Sequence, residues 1–373
     1  MAAGFPTKNN WIAGDVLTAS AMDDLGTTVN YTQYHTPRNV VLNSAFDVWQ
    51  KATSFAIAAA QTDFLTADRW FLTCNGTGMT STISRQAFTL GTAPVAGQEN
   101  AYYYRYAQTV AATGQTSNYV QARIEDVRTF AGQTVTLSFW AKADTANTVT
   151  PSMVQYFGTG GSPSANVITA GSAISITTSW VRYTQTFAIP SIAGKVIGTG
   201  SSGLTSSLRL QLAFPNNATG TFDIWGVQLE KGSYANEYFR NGTNAQAELA
   251  ACQRFAYGIN GTGTQPQPLG VGQVTTTSNF NWLARFPVPM ITTPTYSPYI
   301  NMTVGNYRVL TWNGSSTSST SAPTAVGPTY IDLNGAVMSF TTGATLTVGT
   351  NGFAGLGGTS FGTYTDLFWD TAL

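Results

Sequence analysis

A lone histidine, two cysteines and 17 carboxylates are what this 373-residue chain offers to bond-making chemistry. A Ser-His-Asp or Cys-His relay would have to run through His35, which lies in a Tyr-His-Thr-Pro connection. Neither Cys74 nor Cys252 sits in an activating context. Their number and separation suggest neither a zinc cluster nor a disulfide framework. Glycoside hydrolysis needs only two facing carboxylates. Asp68, Glu99, Glu125, Asp126, Asp223 and Glu230 are the candidates. Glu125 and Asp126 are neighbours, so on a strand they point to opposite faces and cannot flank one bond. In a short turn they would fix the backbone or pair with Arg123 or Arg128. No long-period repeat of the β-helical kind is present. The expectation is a protein that is not an enzyme and needs no cofactor.

Binding is better supplied than catalysis. Sugar recognition needs aromatic faces against pyranose CH groups and planar amides or guanidinium groups for hydroxyls. Tyr119, Gln121, Arg123, Trp140, Lys142, Arg209 and Gln211 provide that mixture. If their strands are neighbours they line one surface. Trp140 has a plainer alternative, packing under a loop or against another subunit, because tryptophan is usually largely buried. Near the C-terminus Trp282, Tyr296, Tyr299, Trp312, Tyr330 and Trp369 form a second aromatic stock, most of it expected in a core. Trp312, followed by Asn313-Gly-Ser-Ser316, is the candidate contact there.

The elements that would hold these residues are strands. Residues 118–124 alternate, with Val120, Ala122 and Ile124 inward and Tyr119, Gln121 and Arg123 outward. Residues 133–143 turn Val135, Leu137, Phe139 and Ala141 inward and leave Trp140 and Lys142 outside. Residues 207–214 set Leu208, Leu210, Leu212 and Phe214 against Arg209 and Gln211. In 220–229 the inward set Phe222 and Ile224 slips by one to Val227 and Leu229, which predicts a β-bulge at Trp225–Gly226. Such half-buried alternation belongs to antiparallel sheets, and many such strands imply a sandwich or jelly roll. Residues 244–256 read as a helix leading into a Gly/Pro-rich link, 258–268, and a second β region. There 282–290 alternates weakly, 291–298 and 313–328 are turn-rich, and the Ser/Thr run 315–321 reads as an exposed loop.

Residues 1–38 differ. Thr18 or Ser20 can cap a short helix with Asp23 and Asp24 in its first turn. Met22, Leu25 and Val29 recur on it at spacings of 3 and 4. That stripe is narrow, like an oligomer seam. The alternative is a helix folded onto its own domain.

Only 9% of residues are charged, against roughly 25% in an average soluble domain, and formal net charge is zero. No basic stripe exists for nucleic acid, and no apolar run is long enough for membrane insertion. With 12% aromatics the chain is not of disordered composition. Near-zero charge protects poorly against self-association, which a subunit of a permanent assembly tolerates better than a free monomer. The opening residues carry no basic-then-apolar signal peptide, which fits synthesis in a cytoplasm and release by lysis.

Six segments carry a resemblance: Asn39-Val-Val-Leu-Asn-Ser-Ala-Phe-Asp-Val-Trp-Gln50, Thr66-Ala-Asp-Arg-Trp-Phe71, the stretch from Arg123-Ile-Glu-Asp to Ser138-Phe-Trp-Ala-Lys142, Thr178-Ser-Trp-Val-Arg-Tyr183, Gly220-Thr-Phe-Asp-Ile-Trp-Gly-Val-Gln-Leu-Glu230 and Glu248-Leu-Ala-Ala-Cys-Gln-Arg-Phe255. In this order they resemble the carbohydrate-binding-module-like jelly roll of phage tail fibre and tail-spike accessory proteins. Trp11-Ile-Ala-Gly-Asp-Val-Leu-Thr18 is similar to the N-terminal element of such fibres, and Arg285-Phe-Pro-Val-Pro-Met-Ile-Thr-Thr-Pro-Thr295 to the start of their C-terminal β domain.

The resemblance implies an N-terminal attachment or oligomerisation segment (1–38), a jelly roll (39–240), a helical junction (241–260) and a smaller C-terminal β-sandwich (261–373) as a receptor-binding tip. It implies a trimeric or otherwise oligomeric virion protein, with a homotrimer as the leading expectation, joined to other tail proteins through its N-terminal segment and adhering to host cell-surface polysaccharide. The alternative is a purely structural shaft, collar or head decoration. Jelly rolls of this kind often carry a structural calcium between an early acidic residue and a late aspartate, here Asp47 and Asp223.

Overall fold

The computed structural model describes residues 39–95, 98–200, 205–241, 244–260, 267–296, 307–312, 317–321, 323–343, 345–356 and 365–371. The N-terminal segment with Met22, Leu25, Val29 and His35 lies outside the described residues, as do the side chains of 307–323, Trp312 among them.

In chain order the strands are β1 (Ser54–Ile57), β2 (Gln61–Leu65), β3 (Trp70–Cys74), β4 (Thr80–Ala87), β5 (Tyr102–Val110), β6 (Asn118–Glu125) and β7 (Thr134–Ala143). They continue as β8 (Asn147–Tyr156), β9 (Val167–Ala170), β10 (Ile174–Ile176), β11 (Val181–Ala188), β12 (Ser207–Ala213) and β13 (Gly220–Lys231). Among the described residues these form two antiparallel sheets, β1-β4-β5-β13-β7-β11 and β10-β8-β12-β6-β3-β2, with β9 also on β8. The inward residues of both sheets meet in one core. Val120, Ala122, Leu208, Leu210 and Leu212 come from the second sheet, and Leu137, Phe139, Phe222, Ile224, Val227 and Leu229 from the first. Burial of the alternating apolar set is what closes the sandwich.

The bulge falls where the pattern slips. The β13–β7 register shifts between Trp225 and Gln228, and Gly226 has φ +62°. A side-chain carbon on Gly226 would lie 2.9 Å from Trp140 Cε3. Only glycine combines that conformation with that approach. The extra residue sends Trp225 outward and returns Val227 and Leu229 to the core.

Helix α1 (Ala245–Gln253) comes next, with Asn244 as its N-cap accepting from the Ala247 backbone N–H. It is shorter than the predicted 244–256. Phe255 packs under the Arg69 guanidinium, 3.6 Å from its ring centroid, and Ala256 already pairs with Asp370.

Beyond it lie β14 (Ala256–Asn260), β15 (Gln267–Val274), β16 (Asn279–Arg285), β17 (Thr295–Tyr296), β18 (Tyr307–Trp312) and β19 (Thr317–Ser321). The chain ends through β20 (Pro323–Ile331), β21 (Gly335–Thr342), β22 (Asn351–Leu356) and β23 (Thr365–Asp370). Their sheets run β19-β18-β22-β15-β16-β21-β20 and β14-β23-β17, and a second core with Phe280, Trp282, Phe340 and Trp369 lies among them. The fold is mainly β throughout.

Two expectations for this region fail. The Ser/Thr run is largely strand β19, paired with β18, and most of the stretch read as turn-rich is β19 and β20. Ladder hydrogen bonds to a neighbour make a strand there that apolar alternation does not announce. Trp282, Trp369 and Tyr296 pack in or on the core as expected, whereas Tyr330 is exposed.

Candidate functional site

The outward residues of β6 and β12 form a continuous surface. Arg123 faces Arg209, Gln121 faces Gln211, and Tyr119 faces Ala213 across the ladder. On the far side of β12, strand β8 adds Tyr156, Val154, Ser152 and Thr150, and β3 adds Phe71 and Thr73 beyond β6. From the row of Tyr119 to that of Glu125 the surface runs roughly 20 Å along the strands.

Hydrogen bonds tie this surface together in one direction. Ser152 Oγ donates to Gln211 Oε1 at 3.2 Å, Gln211 Nε2 to Gln121 Oε1 at 3.2 Å, and Gln121 Nε2 to Asp63 Oδ1 at 2.6 Å. Asp63 Oδ2 also lies 2.6 Å from Arg123 Nη2. The chain thus ends on a carboxylate, and polarisation along it strengthens each bond. Gln121 is 0% exposed and Arg123 4%, so both sit beneath the surface that Asp63 and Gln211 present. Guanidinium groups stack on rings here: Arg123 lies 4.0 Å from the Phe71 centroid and Arg209 3.7 Å from that of Tyr156. Tyr119, Tyr156, Ser152, Arg209 and Gln211 are half-buried and remain reachable.

Alternation does not find Asp63, Ser152 or Tyr156. Asp63 has φ +53° beside a register shift in β2, so its side chain falls outside any simple pattern. Pro151 breaks the reading of β8, because proline argues against a central strand. It is tolerated where the outer partner changes. β10 pairs with 147–149, β9 with 152–155, and between them Gly171 N–H donates to the Pro151 carbonyl. A residue's N–H and C=O point to the same side of a strand, so the missing donor faces that gap. Asn147-Thr-Val-Thr150, before the proline, holds one apolar residue and is too short to establish a period.

Trp140 and Lys142 do not join this surface. They lie on β7, in the other sheet, which corrects the expectation of a single patch. Trp140 is 8% exposed and packs with Trp225, Tyr238 and Tyr103. Arg182 lies over its ring. Lys142 Nζ is 3.6 Å from Asp223 Oδ2 and 5.5 Å from the half-buried Trp180 ring.

Asp47 and Asp223 do not converge either. Asp223 holds Arg105 through both oxygens, at 2.6 and 2.8 Å. Asp47 instead shares Arg240 with Glu248, at 2.7 and 3.7 Å. Burial raises the Asp47 and Glu248 carboxyls above the ordinary range, with Arg240 opposing. The Arg240 guanidinium bridges Asp47 and Glu248, while Asp223 pairs with Arg105 instead. No group of three or more His, Cys, Asp or Glu side chains suited to a metal occurs among the described residues.

The carboxylates considered for hydrolysis are each engaged. Asp68 accepts from Gln50 N–H and Nε2, and Glu230 from Gln228, Asn236 N–H and Asn236 Nδ2. Glu125 meets Arg254 at 2.9 Å, Asp126 meets Arg128 at 3.0 Å, and Glu99 accepts from the Gly91 N–H. Both cysteines are buried and free, with their thiols pushed up by burial.

No protein-family model matches the sequence, and no curated protein matches it closely enough to count as a relative. Among solved structures the chain is similar to the enzymatically active domain of bacteriophage CBA120 tailspike protein 4, at 15% identity and a TM-score of 0.31, over 52% of this chain and 21% of that one. It is also similar to a family 11 carbohydrate-binding module from Clostridium thermocellum in complex with a mixed-linked tetrasaccharide, at 14% identity and TM-score 0.30, over 50% and 99% of the two chains. A xylan-binding domain from Paenibacillus barcinonensis matches at 15% identity and TM-score 0.29, over 48% and 99%. The chain thus spans about a fifth of the tailspike domain's length. At these scores the likenesses carry no weight for function.

Proposed function

We propose that this protein is an adhesion component of a phage tail fibre or spike, and that the outer face of β8, β12, β6 and β3 binds host-surface glycan without transforming it. The observation that carries the reading is the half-exposed row of Tyr119, Gln211, Ser152, Arg209 and Tyr156 over a buried, internally bonded layer. Such a layer fixes side chains in advance, so less conformational entropy is lost when hydroxyls dock. The tyrosines supply apolar ring faces and the amide and guanidinium groups supply directional bonds. Engagement of every candidate acid by a cation or hydrogen-bond donor supports binding over hydrolysis. The virion setting rests on the ordered motifs and the low charge. A homotrimer joined through Met22, Leu25 and Val29 is part of the same proposal, and sedimentation of the full chain at micromolar concentration as a monomer would remove it.

The test is binding of the full chain to arrayed bacterial surface glycans. The double variant Tyr119→Ala/Gln211→Ala should lose at least about tenfold in affinity with little change in melting temperature. Trp180→Ala, beside β11 of the opposite sheet, should bind as the parent does. The reverse pattern would move the site to the other sheet. Absence of binding by the parent would favour the purely structural alternative.

A further inference from the structure

The charge on this face is lopsided although the chain is neutral overall. Arg69, immediately before β3, Arg123 of β6 and Arg209 of β12 succeed one another: Arg69 Nη2 donates to the Arg123 carbonyl, and Arg123 pairs with Arg209 in register. The carboxylate among them, Asp63, is 38% exposed and already bound at 2.6 Å by both Arg123 and Gln121. Arg209 Nη1 stays 3.9 Å away from it. Glu125, the next acid along β6, is committed to Arg254.

Arg209 is held rigidly all the same. Its ring partner Tyr156 lies 3.7 Å below, and its Nε donates to Ser207 Oγ at 3.2 Å. The Nη atoms make no hydrogen bond among the described residues, while the side chain is 14% exposed. A planar fork fixed at its stem, its outer nitrogens in no hydrogen bond and in only a 3.9 Å ion pair with Asp63, is suited to a second carboxylate. Burial first, and then the Arg123 charge, push the Arg209 guanidinium down to about 10. A bound anion would offset both.

We propose that the face is selective for acidic glycans, the carboxylate of a uronic- or sialic-acid-type residue docking on Arg209 between Tyr156 and Arg123. This rests on the reading that the face binds glycan, and narrows its ligand class. Neutral hydroxyls can be served by Gln211, Ser152 and the tyrosines alone; the surplus cation is what a carboxylate adds to.

The experiment uses the full chain and a panel of glucuronate-, galacturonate- and sialate-containing oligosaccharides, each beside its carboxyl-reduced neutral form. At least one acid form should bind about tenfold or more tightly than its reduced partner. That advantage should shrink as salt is raised from about 0.05 to 0.3 M. Arg209→Gln should abolish the ratio, and Arg209→Lys, which keeps charge without the fork, should retain part of it. Reduced forms that bind as tightly as acid forms would overturn the acidic preference and leave the glycan reading standing. A preference that survives in Arg209→Gln would overturn the assignment to this residue. Failure of every acid and neutral form to bind would overturn both.

Discussion

Arg123 shows how a single residue links stability to recognition on this face. Its guanidinium is almost wholly buried, stacked on Phe71 and 2.6 Å from Asp63. Removing one partner of a buried ion pair costs far more than the intact pair contributes, because the remaining charge is left desolvated. Asp63 is partly exposed, so water recovers some of that cost, and Asp63→Ala is expected to destabilise the protein by about 2 kcal/mol. Denaturant unfolding checks it: the midpoint should fall without a change in slope. Loss of the Gln121 acceptor should also weaken glycan binding, since the amide row is ordered from that end. Five residues on this side of the sheet, Tyr119, Gln121, Arg123, Arg209 and Gln211, are legible because period-two alternation assigns a face without knowing the partner strand. Asp63 is not, because a positive φ at a bulge breaks that alternation where the acid is needed.

At the scale of elements, β13 carries a feature that fixes two layers at once. Its bulge turns Trp225 outward against Trp140 and Tyr238 while keeping Val227 and Leu229 in the core. Gly226→Ala would place a carbon 2.9 Å from the Trp140 ring at φ +62°. The expected cost is about 2 kcal/mol or more, from left-handed strain and overpacking together. Thermal melting would report it, and the tryptophan fluorescence should shift as the Trp140–Trp225 contact loosens. An unchanged melting temperature would mean the bulge can move elsewhere along β13. This bulge is legible because the apolar period slips by one residue. Strand β8 is harder to read, since Pro151 looks like a strand breaker until the change from β10 to β9 beside it is known. Strand order is not written in local patterns at all. Alternation places Trp140 and Lys142 outward correctly, and only topology shows that their outward side belongs to the other sheet.

At the scale of the whole molecule, buried acids gather where the large sandwich meets α1 and the C-terminal strands. Asp68 lies fully buried under Gln50, which also donates to the Ala256 carbonyl of β14, and Asp370 of β23 is close enough to affect its charge. Burial, reinforced by Asp370 and opposed by the Gln50 bonds, raises Asp68 from 3.8 to about 6. Asp47, and Glu248 of α1, which share Arg240, are raised by burial as well. A carboxyl with a higher pKa folded than unfolded binds its proton more tightly in the native state. Its contribution is therefore fully present below about pH 4 and is lost as pH rises through about 6. For Asp68 the swing amounts to at most about 3 kcal/mol. The denaturation midpoint of the parent should accordingly drop between pH 4.5 and pH 7, the opposite of ordinary acid denaturation. Asp68→Asn should be less stable at the lower pH, where it loses an acceptor for Gln50, yet show a flatter dependence on pH. A variant as steep as its parent would show that Asp68 does not carry the slope. A parent whose midpoint rises over the same interval would overturn the assignment of the slope to Asp68, Asp47 and Glu248.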